Sequence, residues 1–194
     1  MDKIRVSKLL SELGLCSRRE ADSYIEQGLV TVDGEPIHEL GTRAYRHQTI
    51  ALRAGAKRQQ EQRLTLLLNK PVGYISHLDD EQQYKPAASL ITPENQFAAA
   101  PDQTQRLHFR GLAPAGRLDI DSSGLLVLTQ DGRIAKLLIG EDSPIEKEYL
   151  VRVSGQLSDA GLRSLQHGLS LDGKALKPAK VSWQNEDQLR FVLR

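Results

Sequence analysis

The sequence predicts an α+β protein in two parts, a small N-terminal α/β unit and a larger mixed unit, and three observations carry that expectation. Two short helical patterns and a β-prone segment with a tight-turn dipeptide fall within the first fifty-two residues. A polar run without apolar periodicity, residues 53–63, follows and reads as a linker. Beyond it, strand-length apolar runs dominate, interrupted by only two helical patterns and by no internal repeat. A chain of 194 residues accommodates one such small unit beside one medium domain.

Each element follows from local chemistry. Ile4, Val6, Leu9, Leu10 and Leu13 form a helical stripe that stops near Gly14. Ser17-Arg18-Arg19-Glu20 is a capping box, in which the serine hydroxyl and the glutamate carboxylate satisfy free amides at a helix start. Ala21, Tyr24 and Ile25 supply the inner face of that helix, and Gly28 is placed to end it. Leu29–Val32 is β-prone, Asp33-Gly34 signals a tight turn, and 49–52 is a weaker strand. Past the linker, Leu64–Leu68 and Gly124–Thr129 read as buried strands, whereas 79–106, rich in Gln, Pro, Asp and Ala, reads as a long exposed excursion. Asp131–Ile139 has helical spacing, Tyr149, Val151 and Val153 alternate as in a strand, and Ser158 caps a helix carrying Leu162 and Leu165. The closing Leu189–Arg194 is strand-like, either an edge strand or the end of a shortened chain.

Composition excludes several functional classes. Lys+Arg total 26 against 25 Asp+Glu, so a net charge of +1 proves no polyanionic partner, and such a partner must be argued from where the charges sit. The single cysteine, Cys16, excludes an intrachain disulfide framework and multi-cysteine metal sites, and a reducing cytoplasmic setting is expected. No apolar run approaches the ~18–20 residues that span a bilayer. The five histidines form no close-spaced ligand pair, so no metal is expected.

Two places carry candidate chemistry. Lys3, Arg5, Lys8, Arg18 and Arg19 cluster on the two N-terminal helices. Cations in the first turn of a helix oppose its dipole, a cost that a bound phosphate reverses; an ordinary solvated face is the plainer reading. The second place is Gly116–Gly124. Asp119, Asp121, Ser123 and Gly124 sit at the first, third, fifth and sixth positions of a calcium loop, but Gln130 occupies the twelfth, where a glutamate is required. That leaves a structural Asx turn or a functional carboxylate presented just before a strand.

A resemblance bears on both places. Leu9, Gly14, Ser17-Arg18-Arg19, Ala21, Ile25, Gly28, Val30, Val32 and Asp33-Gly34 resemble the S4 RNA-binding module. Leu68–Gly73, Gly116-Arg117-Leu118-Asp119 with Ser123–Gly132, and Glu146–Val151 follow in the order seen in S4-domain ribosomal RNA pseudouridine synthases, most like the 23S enzymes. The resemblance implies an S4 domain over 1–52 and a mostly antiparallel catalytic domain over 64–194. It also implies isomerisation of a ribosomal RNA uridine without cofactor or metal, by a soluble monomer with no membrane partner.

Residue by residue, the resemblance puts the catalytic carboxylate at Asp119, either attacking C1′ or abstracting a sugar proton, and gives Asp121 no match. Tyr149 matches the tyrosine lying against the uracil; otherwise it is a core strand residue. Arg117 is expected to meet RNA phosphate or fill the space of the displaced nucleotide, and Lys70 to contact phosphate unless it is a plain surface charge. Arg5, Lys8, Arg18 and Arg19 are expected on the RNA-binding face. The family continues into an Arg-Gln-Ile-Arg-type motif that this sequence, ending at Arg194, lacks. The catalytic domain therefore reads as truncated: weak or absent turnover with retained RNA binding is expected if these 194 residues are the whole protein, and an active parent if they are a fragment. The competing readings are a non-catalytic S4-type RNA-binding protein and a sugar hydrolase, which needs a second acid at Asp121 or Glu141.

Overall fold

The computed structural model describes residues 2–77, 83–97 and 109–194. By compactness the chain forms two units, Met1–Ile139 and Gly140–Arg194.

In the first unit, β1 (Ile4–Arg5) leads into α1 (Val6–Glu12), and α2 (Arg18–Glu26) follows. The capping box forms as the sequence requires: the Ser17 hydroxyl accepts from the Glu20 amide while the Glu20 carboxylate accepts from the Ser17 amide. Gly28 closes α2 at φ 64°, a left-handed conformation that glycine adopts without a Cβ penalty. β2 (Val30–Val32) and β3 (Glu35–Ile37) form a hairpin through Asp33 (φ 52°) and Gly34 (φ 90°). β4 (Arg43–Ala44) pairs with β1, and β5 (Ile50–Leu52) completes a sheet of order β3-β2-β5. Val6, Leu10, Tyr24, Ile25 and Val30 are fully buried between these layers.

The linker expectation is corrected over most of its length, because α3 (Ala54–Glu61) occupies it. Only Ala56 buries a side chain, so no apolar stripe announces the helix. Its polar residues reach back instead: Gln60 donates to the Leu15 carbonyl at 2.7 Å and Gln59 to the Gln27 side chain at 2.9 Å.

β6 (Thr65–Lys70), β7 (Tyr74–Ile75), β8 (Lys85–Pro86), β9 (Ala113–Pro114), β10 (Gly124–Thr129) and α4 (Gly132–Ile139) complete this unit. β6 and β10 pair antiparallel over six residues, Lys70 opposite Gly124 and Thr65 opposite Thr129. Both were expected buried, yet each keeps one face open: Leu67 is 72% and Leu125 67% exposed, while Leu126 and Leu128 point into the core. Part of the 79–106 excursion is also corrected. Ala87, in a 3-10 turn over Ala87–Leu90, is fully buried in the cluster with Leu126 and Leu128. The remainder of that stretch, 79–82 and 98–106, lies outside the described residues.

The second unit holds β11 (Lys147–Arg152), α5 (Asp159–His167), β12 (Ser170–Leu171), β13 (Lys174–Ala175), β14 (Lys180–Trp183) and β15 (Gln188–Leu193). The Ser158 hydroxyl caps α5 by accepting from the Gly161 amide at 3.1 Å. The sheet order is β11-β15-β14, all antiparallel, so the final strand is central and not at an edge.

Candidate active site and RNA-binding face

Residues 117–123 alternate between anchored and exposed positions. Leu118, Ile120 and Ser122 are held, whereas Arg117, Asp119, Asp121 and Ser123 are exposed. Four anchors fix the turn. The Ser76 hydroxyl, almost fully buried, donates to the Leu118 carbonyl at 2.6 Å and accepts from the Leu118 amide at 2.8 Å. The Gly73 amide donates to the Ile120 carbonyl at 2.8 Å, and the Ser122 amide to the Asp119 carbonyl at 3.0 Å. Leu118 packs against the cluster around Ala87, Leu126 and Leu128.

Lys70 provides the fourth anchor, and this corrects the expectation that it contacts substrate. Its side chain has 0% exposure, and its ammonium donates to the carbonyls of Pro71 (3.0 Å), Tyr74 (2.7 Å) and Ser122 (2.8 Å). An ammonium has three donors, and all three are taken, so none is left for a phosphate. Lys70 therefore ties the end of β6 to the turn that carries Asp119.

The turn thus presents two carboxylates and a guanidinium on a rigid base. Among the described residues, neither the Asp119 nor the Asp121 side chain has a hydrogen-bonded or ionic partner, so both are available to a ligand. Also among the described residues, no group of three His, Cys, Asp or Glu side chains is arranged to hold a metal ion, and no helix is long and apolar enough to cross a membrane. In the second unit Tyr149 is half-buried on β11, opposite Phe191 on β15. The neighbouring Glu148 accepts from Arg190 at 2.7 Å, and that hydrogen bond holds its carboxyl below the ordinary glutamate range.

In the N-terminal unit Arg5, Lys8, Arg18 and Arg19 are all exposed, Arg18 and Arg19 in the first turn of α2. Lys8 lies 3.6 Å from Glu12, an exposed pair worth little. The structure adds residues that the helical reading of this face omitted. Arg43 stands directly opposite Arg5 in the β1–β4 ladder. Lys3 lies over the Tyr45 ring at 5.2 Å, and Tyr45 stacks on His47 with centroids 5.4 Å apart. Two arginines facing each other across a ladder repel unless an anion lies between them. The signal available was the every-second-residue spacing of Arg43, Tyr45 and His47, cationic and aromatic side chains interleaved as nucleic-acid faces require.

The profile of the S4 domain matches residues 4–44. Fold and site together define a class, an α+β protein in which an RNA-binding type of module precedes a sheet presenting a carboxylate turn. The profile of the RNA pseudouridylate synthases matches residues 64–188. The ribosomal large subunit pseudouridine synthase B of Bacillus subtilis (strain 168) is 34% identical over 184 residues, covering 95% of this chain and 69% of that protein. The dual-specificity RNA pseudouridine synthase RluF of Escherichia coli (strain K12) is 32% identical over 192 residues, covering 98% of this chain and 60% of that protein. A crystal structure of a pseudouridylate synthase shares the fold, with a TM-score of 0.56 at 22% identity over 98% of this chain and 76% of that one. The chain belongs to the RNA pseudouridylate synthase family and carries an S4 domain.

Proposed function

We propose that the chain converts a uridine of ribosomal RNA, of the large subunit, into pseudouridine, with Asp119 as the required carboxylate. The single observation behind this reading is the turn itself: an exposed carboxylate, unpartnered among the described residues, on a backbone fixed by four anchors, at the position the family motif gives its aspartate. Fixed placement is what a catalytic group needs, since a misplacement of about 1 Å costs on the order of a hundredfold in rate. The names of the Bacillus and Escherichia relatives support RNA uridine as substrate, and the Bacillus name supports the large ribosomal subunit.

The reaction balances without a co-reactant. The C1′–N1 bond breaks, the uracil turns, a C1′–C5 bond forms, and the C5 proton leaves while N1 gains one. In this reading Asp119 serves the sugar, Tyr149 lies against the uracil, and Arg117 meets the RNA backbone beside the extruded nucleotide. Extrusion costs a few kcal/mol. Arg5, Lys8, Arg18 and Arg19 offset it by holding structured RNA through phosphate contacts. The same reading takes residues 1–52 as the S4 domain and 64–194 as the catalytic domain of a cytoplasmic monomer.

Forming the C5 bond expels the C5 hydrogen, which gives a direct test. A large-subunit rRNA transcript carrying tritium at uridine C5 is incubated with the wild type and with Asp119→Asn. Tritium release by the wild type alone is expected. Release by both proteins excludes Asp119 as the required group, and RNA retention without release by either favours a binding protein.

A further inference from the structure

An ionic network, buried at Glu20, Arg63 and Asp131 and half-exposed at Arg133, lies where α2, the segment after α3, and the β10–α4 corner meet, and neither the core nor the proposed reaction uses it. Arg63 pairs with Glu20, stands 4.0 Å from Asp131, and donates to the Tyr24 hydroxyl at 2.7 Å. Asp131, only 6% exposed, accepts from the Arg133 amide at 2.9 Å and from its guanidinium at 2.7 Å. Arg133 in turn donates to the Gln60 side chain at 3.2 Å, and Gln60 donates to the Leu15 carbonyl. Packing across the seam is equally close: a Cβ built on Gly132 would meet the Ser17 Cβ at 2.5 Å and its hydroxyl at 2.8 Å.

An apolar seam would hold two modules together with less desolvation cost. What charge-assisted, forked hydrogen bonds add is orientation. The position of the network shows what is being oriented. Glu20 stands one residue from Arg19, in the same exposed first turn of α2. Asp131 stands two residues beyond β10, and its amide donates to the Thr129 hydroxyl at 3.0 Å. At its other end β10 begins directly after the Asp119 turn, and six residues of strand span roughly 20 Å.

We propose that Glu20, Arg63, Asp131 and Arg133 are positioning residues that clamp the S4 module onto the end of β10. The clamp holds the basic face of α2 at a fixed reach from Asp119 and so selects which uridine of a bound RNA is presented. The selection part rests on the function proposed above; the clamp itself does not.

The test uses the full chain with spin labels at Glu26→Cys and Ser123→Cys, both exposed positions, one in the S4 module and one at the Asp119 turn. The native Cys16 is buried, which pushes its thiol up to about 11 and leaves it unlabelled at neutral pH. Distances are compared in the wild-type background, in Glu20→Gln/Arg63→Met, which leaves no member of that pair as a lone buried charge, and in Gly132→Ala, which removes no charge but wedges the seam against Ser17 and, at 3.2 Å, against the Glu20 carboxylate. Pulsed electron resonance should give one narrow distance distribution in the parent and a broadened or displaced one in both variants. In parallel, the ratio of pseudouridine at the preferred uridine to that at neighbouring uridines should fall by about tenfold, while RNA affinity stays at the parent value. Variants that stay folded and keep the parent's narrow distribution overturn the clamp, as does a broad distribution in the parent. Broadened distances with an unchanged ratio overturn the selection role. A parent that makes no pseudouridine refutes the function reading, and the distance measurement still decides the clamp.

Discussion

Replacing Lys70 by methionine separates a scaffolding lysine from a substrate contact. Methionine retains most of the buried length but none of the three donors, so the carbonyls of Pro71, Tyr74 and Ser122 lose their partner together. A buried polar group left unsatisfied costs about 1–3 kcal/mol. Pro71 is exposed and regains water, whereas Tyr74 and Ser122 are half-buried and regain it only in part. Removing a desolvated ammonium offsets some of the loss, which leaves a net destabilisation of about 3 kcal/mol. For a chain of this size that lowers the melting temperature by roughly 6–12 °C. Thermal denaturation by circular dichroism measures it, alongside RNA affinity by filter binding. A melting temperature within about 2 °C of wild type, with RNA affinity reduced, would refute the scaffolding role and return Lys70 to the substrate.

Three further outcomes are expected. Arg18→Gln and Arg19→Gln should each weaken RNA binding across sequences and lower the slope of log affinity against log salt by about 0.9; a titration from low to high salt reads it, and unchanged slopes would make these arginines a merely solvated face. Burial pushes the Asp131 carboxyl up, but its hydrogen bonds to Arg133 and the charges of Arg133 and Arg63 outweigh that and hold it below the ordinary range. Its folded-state value is therefore below its unfolded one, so its stabilisation is complete above about pH 4 and is lost as pH falls through the folded value. Urea midpoints between neutral and acid pH should drop less steeply in Asp131→Asn than in wild type. Ser17→Ala should cost about 1 kcal/mol by removing the α2 cap, seen as a lowered urea midpoint with an unchanged slope.

What was legible in the sequence was local. The capping box, the glycine after α2 and the Asp33-Gly34 turn each specify a conformation within four residues, and each appears where expected. What escaped depends on partners far along the chain. α3 forms although its inner face is one alanine, because Gln60 finds a carbonyl 45 residues away. Lys70 looked like a surface charge because one of its acceptors, Ser122, lies 52 residues on. Ala87 sits in a polar run whose composition gives no hint that it plugs a cluster under β10. The open faces of β6 and β10 were misread for another reason: a run of leucines cannot say which of two faces meets a neighbour.

The most direct measurement is the map of pseudouridine in large-subunit rRNA. Carbodiimide adducts and reverse-transcription stops are read after treatment with wild-type protein and with Asp119→Asn. A stop at a defined uridine that the wild type produces and Asp119→Asn does not is the predicted result. The same stop at equal strength with both proteins contradicts the assignment of the chemistry to the exposed carboxylate of Asp119.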